Sequence, residues 1–515
     1  MQSKNTKKWW ALFALSLGVF MGLLDITVVN VALPTMVKSF STTFNDLQWV
    51  VNAYTIAFSV ILLVVSKLGD MYGRKKVVLI SMLVFVIASA INGLATNLLI
   101  LDIGRVVQAF GGAGLMTLSM ALVASNFGGP QRGTALGILG SVMGLSTVSG
   151  PLIGGLLVES FGWPAIFYVN VPIGIIAAIL IWFTIDETPS YGKGQKIDWL
   201  GMFLSTAAIF FAVYGLVEKE NHPHLPWTDL SIAAWLVAAV ALLLIFILVE
   251  MRSNHPMMNL KLFKNANFVG SVIVAFTLGS AVYASNIYLT SLMQNYMGYS
   301  AFDTGVRQLT MTVWSLILGP VTGYLGAKYS KRKIISASLL LAGMGFLLLA
   351  NAMTTKLTYM QLVPTLIMLG ITNGLVNPML NTAGLEGAAP KEIGMVSGLL
   401  NVFRQLGTSF GIVILGLAQT SHYDQYLNAH FSFSQVPLAM AESLKQTLIQ
   451  AGPFSGNTIA YSSKLQDLPF VKELQGVVWN AYCSGMRGLA YTAMTIVLIG
   501  AVGAFCLLKD NSKSK

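Results

Sequence analysis

The sequence predicts an all-α integral membrane protein of about fourteen transmembrane helices, built as two pseudo-symmetric six-helix bundles with two helices inserted between them. Three observations carry this. The 515 residues are 55% hydrophobic and 10% charged, with a mean hydropathy of +0.71, whereas a soluble domain carries roughly 25% charge. Apolar runs of about 20 residues, the length at which a helix crosses a hydrocarbon core of ~30 Å, recur along nearly the whole chain. The segment "SKLGDMYGRKK" (66–76), which follows the second run, returns after the tenth as "GYLGAKYSKRK" (323–333) and matches it without a gap at Leu, Gly, Tyr and the last Lys. A β-barrel needs alternating segments of ~10 residues, and these runs are too long and continuous for that.

In chain order the spans are expected at about 10–33, 48–66, 77–95, 98–122, 134–158, 165–185, 198–217, 229–250, 267–290, 305–327, 334–352, 359–383, 394–419 and 486–508. The first is longer than a signal-peptide core, and no small-residue cleavage site precedes Asp25, so it reads as a retained helix. With the N-terminus inside, roughly 21 Lys and Arg fall on the inner side and 6 outside; Arg105, Arg307, Arg404 and Arg487 lie in or near spans. An even number of spans returns the C-terminal "KDNSKSK" to the inner side. That sorting also removes the nucleic-acid reading of the +11 net charge, since "GRKK" and "KYSKRK" sit in short inner loops.

Two places break the rhythm of short connections. The polar linker "DETPSYGKGQKIDW" (186–199) follows the sixth span, and the segment 420–485 holds too few apolar runs to cross, so it is expected outside. Within it, 437–450 places Met440, Leu444 and Leu448 four apart; this reads as an amphipathic helix on the membrane surface or the bundle mouth, or as a hairpin. The repeat pairs spans 1–6 with 9–14, which gives a first bundle over 1–188, a linker with two inserted helices over 189–260, and a second bundle over 261–515. Cys483 and Cys506 are too few for a disulfide framework. No metal-ligand spacing and no phosphate-cradling G-x-x-x-x-G-K-[ST] loop occurs, which argues against an ATP-driven pump.

The motifs "LDITVVNVALP" (24–34), "SKLGDMYGRKK" (66–76), "RVVQAFGGAG" (105–114), "GPLIGG" (150–155) and "WPAIFYVNVPIG" (163–174) follow one another as in the major facilitator superfamily. The chain resembles the 14-helix drug:proton antiporter branch over almost its whole length. Ser66 and Met71 depart from the family pattern, which usually has Gly and a basic residue there. The resemblance implies a bacterial multidrug-efflux transporter and not an enzyme. It is expected to be a plasma-membrane monomer with both termini cytoplasmic and no cofactor beyond protons, its partners being lipophilic small molecules and membrane lipids.

The motif residues also carry physical readings of their own. Asp70 at the end of span 2, with Gly73 and Arg74, is placed to latch the cytoplasmic side, accepting from Arg74 or from a facing helix N-terminus; the plainer reading is a positive-inside anchor. Gly150, Pro151, Gly154 and Gly155 remove side chains and a backbone donor along span 5, so another helix can approach; ordinary small-residue packing is the alternative, and the resemblance favours an antiporter motif sealing one face of the cavity.

Arg105 costs ~2.5–3.5 kcal/mol inside a span unless it finds a partner or water. It shares a helical face with Gln108, Ala109, Gly112 and Met116, which reads as a cavity wall, while a snorkelling arginine beside Asp102 is the other reading. Asp25 is the only acid well inside a predicted span. It is read as the proton-coupling group, with Arg105; a structural Asp hydrogen-bonded to Thr27, Asn30 or a neighbouring helix is the alternative.

Polar groups within spans suggest the substrate wall: Asn30, Trp49, Asn52, Gln108, Met116, Asn286, Arg307, Trp314, Asn373, Asn377, Asn401 and Arg404. Such residues also hold helices together by hydrogen bonds. The leading reading is proton-coupled export of lipophilic drug-like compounds by alternating access. A dedicated exporter of an endogenous metabolite, amino acid or lipid is the alternative, and a non-transporting membrane sensor a more distant one. A nutrient importer is disfavoured, because no E-x-x-E-R-type motif stands in span 1.

Overall fold

The computed structural model describes residues 2–42, 44–188, 198–253, 256, 258–386, 388–431, 438–461 and 470–509, and among these it is helical without a strand. The helices are α1 (Gln2–Phe40), α2 (Phe44–Tyr72), α3 (Arg74–Gly93), α4 (Leu98–Asn126), α5 (Gly129–Phe161), α6 (Ala165–Thr184), α7 (Trp199–Asn221), α8 (Leu230–Arg252), α9 (Ala266–Tyr296), α10 (Ala301–Lys328), α11 (Lys331–Ala352), α12 (Tyr359–Gly384), α13 (Ile393–His430), α14 (Leu438–Ala460) and α15 (Val471–Leu507).

Their starts follow from short polar side chains that occupy free backbone donors. Asn97 accepts from the Ile100 amide at 2.9 Å, Asp198 from Gly201 at 2.8 Å, and Ser300 from Asp303 at 3.0 Å. Thr358 and Gln361 close a capping box. At Gly73 the backbone turns with φ 105°, a conformation that favours glycine, and so separates α2 from α3.

Among the described residues, twelve helices are long and apolar enough to cross a membrane, two fewer than the fourteen expected. The expected spans 134–158 and 305–327 are α5 and α10, helices of 33 and 28 residues that exceed the crossing length, each with some side chains outside the described residues. These two helices run against each other. The Cβ that Gly305 lacks would lie 2.9 Å from Leu152, so their backbones approach where side chains are missing. Helix α8 is the least buried of the twelve, and its exposed Val237, Val240, Leu243, Leu244 and Leu248 suit a hydrocarbon solvent.

Helix α1 packs on α4, α5 and α6, while α2 and α3 pack on α4. In the later part of the chain α9 packs on α13 and α15, α11 on α12 and α15, and α10 on α12. The two groups meet through α5 with α10 and α12, and through α2 and α4 with α13; α7 and α8 pair with each other, and α7 leans on α2 and α13.

Helices α13 and α15, at 38 and 37 residues, continue well past the expected spans 394–419 and 486–508. Hydropathy ends a span where polar residues begin, but a helix continues as long as its neighbour packs on it. Helix α14 rests on these extensions: Leu448 is fully buried in a cluster with Tyr423, Leu427, Phe470, Leu474 and Val478. Leu444 is half-buried and Met440 exposed, so the amphipathic segment lies on protein rather than on its own.

Candidate functional site

Asp25 is completely buried on α1. One turn earlier Gly22 carries no side chain, so α4 comes close, with the Cα of Gly112 only 3.6 Å from where a Cβ on Gly22 would lie. The Asp25 carboxylate forms an ion pair with the Arg105 guanidinium of α4. Its Oδ1 accepts from Gln108 Nε2 at 2.9 Å and from Asn170 Nδ2 on α6 at 3.2 Å.

Arg105 has further partners. Its Nε donates to the Val50 carbonyl at 3.2 Å and its Nη1 to Gln108 Oε1 at 3.0 Å, and its guanidinium lies 4.0 Å from the centroid of the Tyr54 ring. Asn92 donates to Gln108 at 2.7 Å; Gln108 and Asn170 both donate to Ser89, whose hydroxyl donates to the Phe167 carbonyl at 2.8 Å. Tyr54 donates to the Gly22 carbonyl at 3.1 Å. Five helices thus converge on one carboxylate, and its charge is matched by one cation and two neutral donors. Removing one partner of such a pair costs about 3–5 kcal/mol, because the other charge stays behind in a dry interior.

This arrangement chooses among the sequence readings. Arg105 pairs with Asp25 and not with Asp102, and Thr27 and Asn30 bond to Leu24 and Ile26 carbonyls on their own helix. The α4 face read as a cavity wall is packed in the interior here: Arg105, Gln108 and Ala109 are fully buried and Met116 is 8% exposed. Gln108 and Met116 therefore stand in the core, not on a surface open to cargo. Sequence reasoning missed Tyr54, Ser89, Asn92 and Asn170. Asn170 lies inside the quoted "WPAIFYVNVPIG", and Ser89 with Asn92 forms a polar i, i+3 pair in an apolar helix, so both signals were present.

At the Arg74 end, Asp70 and Arg74 form a buried ion pair at 2.6 Å. Asp70 Oδ2 accepts from the Met395 amide in the first turn of α13 at 3.0 Å, and Arg74 Nη2 donates to the Pro390 carbonyl at 3.0 Å. A carboxylate at a helix N-terminus is favoured by the helix dipole, and the contact ties the α2–α3 loop to the later helices. Gly394 permits it, since a Cβ there would press on the Asp70 carboxylate. Glu187 takes a related role at the start of α3, accepting from the Lys75 and Lys76 amides at 3.0 Å each. This residue of the linker was not singled out in the sequence.

The asparagines of α12 form a second buried cluster. Tyr283 of α9 accepts from Asn377 Nδ2 at 2.6 Å and donates to Asn373 Oδ1 at 3.2 Å, and Asn373 donates to Ser315 at 3.3 Å. Tyr283 ends a π-helical turn, Leu278–Tyr283, of the kind often found at functional sites. Further along, Arg404 Nη1 donates to Asn401 at 2.8 Å and its Nη2 to Asn381 at 3.3 Å, all three at 3% exposure or less.

The rest of the proposed wall is dispersed. Arg307 pairs with Asp303 one turn away at 3.1 Å and stacks on Tyr299 at 3.9 Å. Asn30 and Trp49 are exposed, Trp49 lying 6.1 Å from the Tyr214 ring of α7, and Asn52, Asn286 and Trp314 are half-buried.

Helix α5 touches both clusters. A Cβ on Gly150 would lie 2.5 Å from the Thr27 Cβ, and one on Gly154 2.8 Å from Val28, both on α1 just past Asp25. On another side, Gly144 leaves room for the Asn373 amide at 2.8 Å, Gly140 for Asn377 at 3.5 Å, and Gly155 for the Phe302 backbone at 3.7 Å. The Pro151 side chain lies outside the described residues.

The sequence profile of the Major Facilitator Superfamily matches residues 15–412. Among curated proteins, Multidrug resistance protein Stp of Mycobacterium tuberculosis is 30% identical over 430 residues, covering 83% of this chain and 78% of that one. Multidrug transporter protein MdtP of Bacillus subtilis is 28% identical over 516 residues, covering 97% and 93%. Among solved structures, the human organic anion transporter MFSD10 (TETRAN) superposes with a TM-score of 0.61 at 13% identity over 96% of this chain and 99% of that one, a likeness that bears on the fold alone.

Proposed function

The chain belongs to the Major Facilitator Superfamily, a family of transporters, and from that premise we propose that it exports lipophilic, drug-like molecules in exchange for protons. The observation that carries the coupling is the burial of Asp25 in an ion pair whose cation has other acceptors. When Asp25 takes a proton, Arg105 loses its counter-charge but keeps the Val50 carbonyl, the Gln108 oxygen and the Tyr54 ring. The protonated state is then one this site can hold without collapse.

In the conformation described here Asp25 is sealed from solvent, and the Asp70–Met395 and Arg74–Pro390 contacts close the Arg74 end. Alternating access requires those contacts to part, the bundle over 1–188 to rock against that over 261–515, and water from one side and then the other to reach Asp25. The glycine face of α5 supports a route between Asp25 and the asparagine cluster, because one helix lies against both. The Lys and Arg asymmetry supports a cytoplasmic position for both termini, and the proposal takes the chain as a monomer among the lipids of a bacterial plasma membrane.

One proton entering down ~100 mV and one pH unit releases roughly 3.7 kcal/mol, enough to sustain a gradient of several hundredfold for neutral or zwitterionic cargo. With a monovalent cation the charges cancel and only about tenfold remains. Proteoliposomes with an imposed pH gradient test the proposal: dye export with counterflow of protons is expected from the native protein and not from Asp25→Asn. Undiminished proton-driven export by that variant would refute the coupling role. Protection of cells against several unrelated toxic dyes, as opposed to none, separates a multidrug exporter from a dedicated one.

A further inference from the structure

Arg404 is unlike the other buried arginines of the membrane region. Arg105 and Arg74 each face a carboxylate. Arg404 is 3% exposed, yet among the described residues it forms no ion pair, and its hydrogen bonds go to the amide oxygens of Asn401 and Asn381 and no carboxylate. Its Nε has no hydrogen-bond partner, and neither does Nδ2 of Asn401, which is 1% exposed and already accepts from Arg404 Nη1. Two free donors and an uncompensated positive charge therefore stand on two side chains that are bonded to each other, and Asn381 fixes the far side of the guanidinium.

An uncompensated cation in a dry interior is costly, and an unmet buried donor adds roughly 1–3 kcal/mol. A planar guanidinium with a neighbouring amide donor is matched by an oxygen anion, which accepts at both and cancels the charge. The site also lies between helices of the later bundle, close to the Tyr283 cluster. Arg404 sits on α13, the helix whose first turn is held by Asp70, and on α9 the backbone packs against α13 at Gly279, beside Arg404, one turn before Tyr283.

From this we infer that Arg404, Asn401 and Asn381 form a binding subsite for an anionic oxygen group, a carboxylate or an enolate, on the exported lipophilic molecule. The inference rests on the export reading above and narrows its substrate class. It also has an electrical consequence: exchange of one proton for one anion moves two elementary charges per cycle, against one for a neutral molecule.

The test uses 1-pyrenebutyric acid and its methyl ester, two probes that differ in the charged oxygen group. Binding to the full-length protein in lipid nanodiscs, with empty discs as background, is expected to favour the acid by about tenfold or more. Arg404→Gln is expected to erase that preference while leaving ester binding in place, and Arg404→Lys to restore part of it. If Arg404→Gln does not fold, Asn401→Leu carries the same comparison and is expected to reduce the preference about threefold. Equal affinity of the native protein for acid and ester, no saturable binding of the acid, or an equal loss of both ligands in the variants each overturns the inference. Acid-selective binding without proton-driven movement of either probe in proteoliposomes retains the subsite and removes the export reading, so the two fail separately. Where movement occurs, export of the acid is expected to depend more steeply on membrane potential than export of the ester.

Discussion

The Asp25 cluster and the Arg404 cluster are both buried polar knots in an apolar bundle, but they are balanced differently. Around Asp25 a carboxylate, a guanidinium and the amides of Gln108, Asn92 and Asn170 bond to one another, and the charge sums to zero. Around Arg404 the guanidinium meets only amide oxygens, and two donors remain unpaired. The first cluster is neutral within the protein, although the side-chain oxygens of Asn92 and Asn170 have no partner, and its charge changes by taking up or releasing a proton. The second needs something from outside the chain. Burial alone therefore does not identify the role of an intramembrane charge; its partners do.

The largest expected effect comes from removing the exchangeable proton. Asp25→Asn keeps the shape of the first cluster but should collapse the sustainable gradient from about five hundredfold to unity, read as substrate accumulation in proteoliposomes at a fixed proton gradient. The next change separates the clusters by sign. Arg105→Leu leaves Asp25 buried without its cation and should cost about 3–5 kcal/mol, whereas Arg404→Leu removes a charge that has no counter-charge, leaves only the neutral oxygens of Asn401 and Asn381 unmet, and should cost less, about 1–2 kcal/mol, in thermal unfolding of the detergent-solubilised protein. Equal destabilisation by the two substitutions would mean that Arg404 has a counter-charge after all.

A smaller effect is expected at α5, the helix that touches α1 beside Asp25 and the asparagine cluster of α12. In Gly150→Ala the new Cβ meets Thr27 at 2.5 Å, so α5 must shift from α1, and overpacking of this kind costs about 1–3 kcal/mol. If α5 links the clusters, transport should fall more than stability does; loss in proportion to folded protein would leave α5 a packing helix only. The smallest change lies outside both. Glu187→Gln removes the charge and one of the two acceptor oxygens at the start of α3, and should cost about 1 kcal/mol with little effect on dye binding.

Much of this was legible in the order of residues. Apolar runs of bilayer length give the helical membrane class, since lipid offers backbone groups no alternative partner. The repeated inner loop and the five motifs pointed to the family that the profile over residues 15–412 establishes. Asp25, Arg105, Asp70 and Arg74 were visible because an ion within or at the edge of a span is conspicuous against apolar neighbours. The substrate wall was much less legible. Asn373 and Asn377 do meet, through Tyr283, whereas Arg307, Asn30 and Trp49 lie apart from them. Helical spacing assigns each residue to a face, but not that face to a neighbour.

The sequence by itself determined the solvent of the fold, the approximate helices and the few charges that had to be neutralised within it, because hydrophobicity and charge are properties of each residue. Only the tertiary structure decided which cation neutralises Asp25, that Arg404 faces no carboxylate, and that α5 lies against both α1 beside Asp25 and the asparagines of α12. Those facts depend on distances of about 3 Å between helices far apart in the chain, set by where glycines allow backbones to approach.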